Sequence, residues 1–179
     1  ALAVQDAGAD AYNVAIGFYA GTAMSTGDNN VLIGFSAGDA IDAGRYNTLI
    51  GSDAGSALTD GDHNVMIGHN AGATSDTATA SAEYNVYVGS SAGRYLDDGL
   101  QNVAIGYEAM KSTGNTQNAQ YNTAVGYQAL FSITDGDSNV AVGTASGDAI
   151  DTGYQNVLMG RYAGSAITGG ADNTCIGYA

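Results

Sequence analysis

Asn30-Val31-Leu32-Ile33-Gly34 returns as Asn47-Thr48-Leu49-Ile50-Gly51 and again as Asn64-Val65-Met66-Ile67-Gly68, each copy seventeen residues after the last. The same Asn-x-x-x-Gly frame opens at Asn13, Asn85, Asn102, Asn122, Asn139, Asn156 and Asn173, giving ten copies spaced by 17, 17, 17, 21, 17, 20, 17, 17 and 17 residues. A register this constant marks a stacked repeat architecture. Three apolar or β-branched residues held between Asn and Gly read as a short strand with punctuated ends. Each copy is then one coil of an all-β, parallel β-solenoid (a β-roll) of ten coils of about seventeen residues, forming a single repeat domain over residues 1–179.

Alternation along a strand sends its first and third residues to one side and the second to the other. The first is always Val or Thr and the third Ile, Val or, once, Met159. This uniform pair is expected to stack inside the coil. The second position then faces outward: Ala15, Leu32, Leu49, Met66, Tyr87, Ala104, Ala124, Ala141, Leu158 and Cys175. No member is charged, and an exposed apolar row along a rod is an association surface. It is therefore the expected interface between chains, the alternative being a second internal layer covered by the rest of the same coil, and Leu49→Glu is expected to prevent assembly.

The second half of the coil has its own register. Seven residues past each Asn stands Ala, with Ser146 the substitute, and Gly usually follows, except at Met110 and Leu130. A larger apolar residue such as Met24, Ile41 or Ile133 comes four residues after the Ala. This fits either one helical turn or a second kinked strand. Gly27, Gly44, Gly61, Gly99, Gly136, Gly153 and Gly170, three residues before the next Asn, are expected to supply positive φ to a closing turn. The two longer coils carry their extra residues within 74–83 and 111–120 and have Ala82 and Ala119 at the turn-glycine place. Insertions at one point of a repeat emerge on one side of the rod. Thr74, Ser75, Asp76, Lys111, Asn115 and Gln117 are the candidate recognition residues there, with tolerated surface drift as the equal alternative.

Eighteen Asp plus Glu stand against four Lys plus Arg, a net charge of −14. Nothing here neutralises a run of phosphates, so nucleic acid is not expected as a partner. No apolar run is long enough for a membrane span, so membrane insertion by this segment is not expected either. Twenty-seven Gly without a single Pro fit neither collagen nor a Pro/Gly-rich disordered chain. Residues 1–12 match the second half of a coil, with Ala3 in the Ala register, and Ala179 stands partway through another. The expectation is a segment of a longer fibre, cut mid-coil at both ends.

Acidic turns in repeat proteins can hold Ca²⁺, which makes Asp60, Asp62, Asp135 and Asp137 the metal candidates. The set does not recur in every coil, and plain turn chemistry is the favoured explanation. No cofactor is expected otherwise. His63 and His69 lack ligand partners at metal spacing and read as surface residues. Cys175 reads as a small buried hydrophobe. Phe18 with Phe35, and Tyr107 with Tyr127, are adjacent in the stack.

The strands Asn13-Val-Ala-Ile-Gly17, Asn102-Val-Ala-Ile-Gly106 and Asn122-Thr-Ala-Val-Gly126, the last followed by Tyr127-Gln-Ala-Leu130, resemble the head repeats of trimeric autotransporter adhesins. They are similar also to repeats of phage and bacterial tail-fibre proteins. The resemblance covers all ten coils. It implies a left-handed roll, parallel homotrimers packed through the strand, and an extracellular place on a bacterial surface or a virion. It also implies attachment to a host-surface receptor or glycan. No enzymatic activity is expected, because the acids are spread through the turns of a regular repeat. The period of seventeen is longer than usual for adhesin heads. The alternatives are a polysaccharide-cleaving β-helix, which would need a carboxylate pair in a groove, and an ice-binding solenoid. Thr occupies the first strand position only at Thr48, Thr123 and Thr174, so no Thr ladder is expected.

Overall fold

The computed structural model describes residues 1–2, 11–73, 82–96, 98–113 and 118–179. Ten three-residue strands follow one another: β1 (Val14–Ile16), β2 (Val31–Ile33), β3 (Thr48–Ile50), β4 (Val65–Ile67), β5 (Val86–Val88), β6 (Val103–Ile105), β7 (Thr123–Val125), β8 (Val140–Val142), β9 (Val157–Met159) and β10 (Thr174–Ile176). They form one sheet in sequence order, every neighbour parallel. Register is repeat on repeat, so Val31 lies beside Thr48, Leu32 beside Leu49 and Ile33 beside Ile50. The expected parallel β-solenoid is therefore present. The ten strands are joined by nine turns of the solenoid, and at strand spacing they span about 43 Å.

The second half of the coil is neither a helical turn nor a second strand. It is a chain of turns with left-handed residues, such as Asp53 at φ 55° and Gly55 at φ 58°. Its backbone groups pair mostly between coils: the Gly38 N–H donates to Ala54 O at 2.9 Å and the Gly55 N–H to Ala71 O at 2.9 Å. Within a coil the chain also closes tightly, as where the Leu58 N–H donates to Gly55 O at 3.1 Å.

Along one edge of the sheet runs a ladder of asparagines. The Asn47 amide Nδ2 donates to Asn30 Oδ1 at 3.1 Å and to Gly61 O at 2.7 Å, while its backbone N–H donates to the same Asn30 Oδ1 at 2.9 Å. Asn30 through Asn156 are 0–1 % exposed. Buried amides are tolerated only when satisfied, and here each satisfies the coils on both sides. The turn glycines serve this ladder rather than supplying positive φ. None of Gly27, Gly44, Gly61, Gly99, Gly136, Gly153 and Gly170 has positive φ; the residue two places later does, as at Asn29 (58°) and Tyr46 (56°). Glycine is used for closeness, since a Cβ on Gly44 would stand 2.6 Å from Gly61 O. In the longer coils the Ala82 and Ala119 carbonyls take over, accepting from Asn64 and Asn102 at 2.7 Å each. Across both longer coils the ladder's backbone rungs continue, the Asn85 N–H donating to Asn64 Oδ1 at 3.0 Å and the Asn122 N–H to Asn102 Oδ1 at 2.9 Å.

At the strand end the constraint is conformational as well. Gly68 has φ +135°, and a Cβ there would lie 2.6 Å from Gly89 O of the next coil. Only Gly fits such a position.

The core lies between the strand's middle residue and the turns. Leu32, Leu49, Ala104, Ala124 and Leu158 are fully buried, together with Ala37, Ile41, Ile133 and Ile150. A size rule links two positions of the coil. Where the middle strand residue is large, glycine stands six residues later, and a Cβ at Gly55 would sit 2.8 Å from the Leu49 side chain. Where it is Ala104 or Ala124, the later residue is the buried Met110 or Leu130. Beside Ala141, Gly147 receives Leu158 and Leu130 from the flanking coils, its Cβ place lying 2.5 and 3.0 Å from them. The double variant Ala104→Leu with Met110→Gly should therefore fold nearly as stably as the natural chain. Each single change should cost about 2 kcal/mol, one by overpacking and the other by a cavity. A double-mutant cycle in denaturant checks this, and additive costs would refute the rule.

Candidate interaction face

The burial of the strands reverses the expected faces. The middle residues Leu32, Leu49, Met66, Tyr87, Ala104, Ala124, Ala141 and Leu158 are 0–1 % exposed within the single chain. Ala15 and Cys175, in the outermost strands, also pack against this core. These ten residues are therefore core and not an outward interface row. The reason is parity: each middle residue lies two places from its Asn, and the Asn side chain must turn inward to join the ladder. Leu49→Glu would place a carboxylate in the core and unfold the coil before it could report on assembly.

The outward residues are the β-branched pairs. Val and Thr at the first position and Ile, Val or Met159 at the third are intermediate or exposed in every strand. None of the twenty is charged. The face so formed runs the whole length of the rod, about 10 Å wide at the strands. Aromatic rings flank it. On the Asn side, Tyr46, His63 and Tyr84 stack with centroids 4.8 and 5.0 Å apart, all three in the left-handed conformation at φ 56–59°. Beyond the Gly, Phe18 stacks on Phe35 at 5.7 Å and Tyr107 on Tyr127 at 5.6 Å. The adjacency of these rings was legible in the repeat. Their flanking of an exposed face was not, because it depends on which strand side is inside.

The turn carboxylates hold backbone. Asp62 Oδ1 accepts from the Arg45 N–H at 2.7 Å, and Asp137 Oδ1 accepts from the Gln120 N–H at 2.8 Å. Asp60 and Asp135 are exposed. Among the described residues no three of His, Cys, Asp and Glu gather as a metal site. His69 is exposed beside Asn70. Of the candidate recognition residues, Lys111 forms an ion pair with Glu108 at 2.6 Å. Thr74, Ser75, Asp76, Asn115 and Gln117 lie outside the described residues. Among the described residues, no helix is long and apolar enough to cross a membrane.

Two equivalent carboxyls, Asp39 and Asp148, are lifted above their ordinary range by burial, and Asp148 Oδ1 has no hydrogen-bond partner. A raised carboxyl favours the fold below its unfolded pKa, near 3.8, and that contribution is lost as pH rises through the folded value. Asp148→Asn should therefore raise the melting temperature at pH 7 by a degree or two relative to the natural chain (about 0.5 kcal/mol or less). The advantage should vanish near pH 3. Thermal unfolding at the two pH values checks this, and an equal gain at both would refute the titration as its source.

Set against protein-family models, curated proteins and solved structures, the chain matches none of them.

Proposed function

We propose that this chain is a structural and adhesive fibre segment in which three copies pack in parallel through the β-branched strand face. The single observation that supports this reading is that face. It is apolar, continuous over ten strands and free of charge in a molecule of net charge −14. A face of that length and about 10 Å width offers roughly 430 Å² before the flanking aromatic rows are added. With those rows it approaches the roughly 800 Å² per partner of a stable interface. Closing such a face against copies of itself removes apolar surface from water and leaves the acidic turns outward, where their mutual repulsion keeps rods apart. The number three and the parallel arrangement come from the resemblance of the strand repeats to trimeric adhesin heads and tail fibres. A place on a bacterial surface or virion belongs to the same proposal.

The test is mass in solution by light scattering. Three times the 17.9 kDa chain mass is expected. A folded, soluble single chain would overturn the assembly, and twice the chain mass would keep the face but overturn the trimer. An ice-binding reading gains nothing from the outward turn of the first position, because Thr48 and Thr123 have Val on both sides in the stack.

A further inference from the structure

We propose that the coil surface around Arg94 and Lys111 is a binding site for a carboxylate-bearing saccharide. The chain has only four Lys and Arg, and two of them occupy the same place in successive coils, nine residues past Asn85 and Asn102. The next residue in that row is Phe131, and Tyr95 adjoins Arg94. The coil pairing that sets this row is the Gly93 N–H donating to Ala109 O at 2.9 Å, followed by the Met110 N–H donating to Ala129 O at 2.9 Å. Arg94 and Lys111 are thus about 5 Å apart along the rod at their backbones.

The two cations are in different states. Lys111 is matched, since Glu108 accepts from it at 2.6 Å and from the Gln128 amide at 2.8 Å. For Arg94, no carboxylate among the described residues lies within ion-pair distance, and its Nε is buried without a hydrogen-bond partner. Its guanidinium rests 4.6 Å from the Tyr95 ring centre, and Lys111 Nζ lies 5.5 Å from that of Phe131. A second orphan stands beside them: Ser112 is 1 % exposed, and its Oγ has no partner. Buried polar atoms without partners are rare in a native fold and ask for a ligand or a water.

A half-buried guanidinium with no carboxylate partner among the described residues is, in an acidic protein, a fork for a planar carboxylate. Half-buried aromatic rings on either side offer apolar surface to a sugar's C–H faces. Asp148, one coil beyond Phe131, brings the opposite charge into the row and disfavours an anion at that end. The row lies in the turns and off the strand face, so binding does not compete with assembly.

The experiment titrates the assembled protein with trigalacturonate, with its methyl ester and with triglutamate, following binding by calorimetry or ligand-observed NMR. Trigalacturonate is expected to bind, with its ester and triglutamate each at least tenfold weaker. Arg94→Gln should weaken trigalacturonate about tenfold, as loss of a charge-assisted bond does, while solution mass stays unchanged. Phe131→Ala should weaken it by a smaller factor. Equal binding of acid and ester, equal binding of triglutamate, indifference to Arg94→Gln, or no binding below about 10 mM would each overturn the site. A failed assembly shows in the mass alone, so the two readings fail separately.

Discussion

Asn85→Ala is expected to break the rod at its middle. Asn85 Nδ2 donates to Gly99 O at 2.7 Å and to Asn64 Oδ1 at 3.1 Å, and its Oδ1 accepts from the Asn102 backbone N–H at 2.9 Å. Asn64, Asn85 and Asn102 are all 0 % exposed. Alanine leaves the Asn102 N–H buried without its partner and the Gly99 carbonyl with only the Glu83 N–H, at 3.3 Å. At about 1–3 kcal/mol for the orphaned group and about 0.5–1.5 kcal/mol for the bond lost at Gly99, the loss is roughly 2–4 kcal/mol, a large share of a typical total of about 5–15 kcal/mol. In a stack whose stability is a sum of neighbour terms, one weak joint uncouples the two sides. Denaturant unfolding should therefore move to lower midpoint and separate into two steps, and the Asn102 amide should exchange far faster. A cost under about 1 kcal/mol, with Asn102 still protected, would show that the ladder is not what joins the coils.

The second large effect concerns assembly. Val65→Glu with Ile67→Glu puts two carboxylates on the outward face of β4, on either side of the buried Met66. In the proposed trimer these would be desolvated against their own copies, at a cost of several kcal/mol per chain. The expected result is a single chain of 17.9 kDa that keeps its circular dichroism. Met66→Glu, one residue away, should instead lose the fold, because that side chain is 1 % exposed. An assembled double variant would overturn the face as the interface. A folded Met66→Glu would overturn the placement of the core.

The Tyr87 position shows how far local reading reaches. Its hydroxyl points toward the Asn102 amide without forming a hydrogen bond, and burial lifts its ionisation well above the usual phenol range. In the sequence Tyr87 is one more uncharged middle residue and looks like part of an outward row. What betrays its burial is the partner six residues on: Gly93, which leaves room for the ring in a coil where Met110 and Leu130 fill the corresponding place beside Ala104 and Ala124. Side chains that trade volume must share a space, and that signal lay in the sequence unread. The uniform Val, Thr and Ile of the other parity invite the opposite conclusion, because β-branched uniformity suits a packed interior and a flat outer face equally well.

The sequence by itself determined the repeat, the position and parallel order of its ten strands, and the places where insertions enter. All of these follow from spacing, which a one-dimensional pattern carries completely. Only the tertiary structure decided which side of the strand is inside. That choice rests on the asparagine, whose amide can be buried only when the coils above and below supply its partners. Alternation then carries the middle residue inward with it and turns the β-branched pairs out to form the face. The row of Arg94 and Lys111 likewise emerges only when the coils are stacked, since its members are seventeen and more residues apart in the chain.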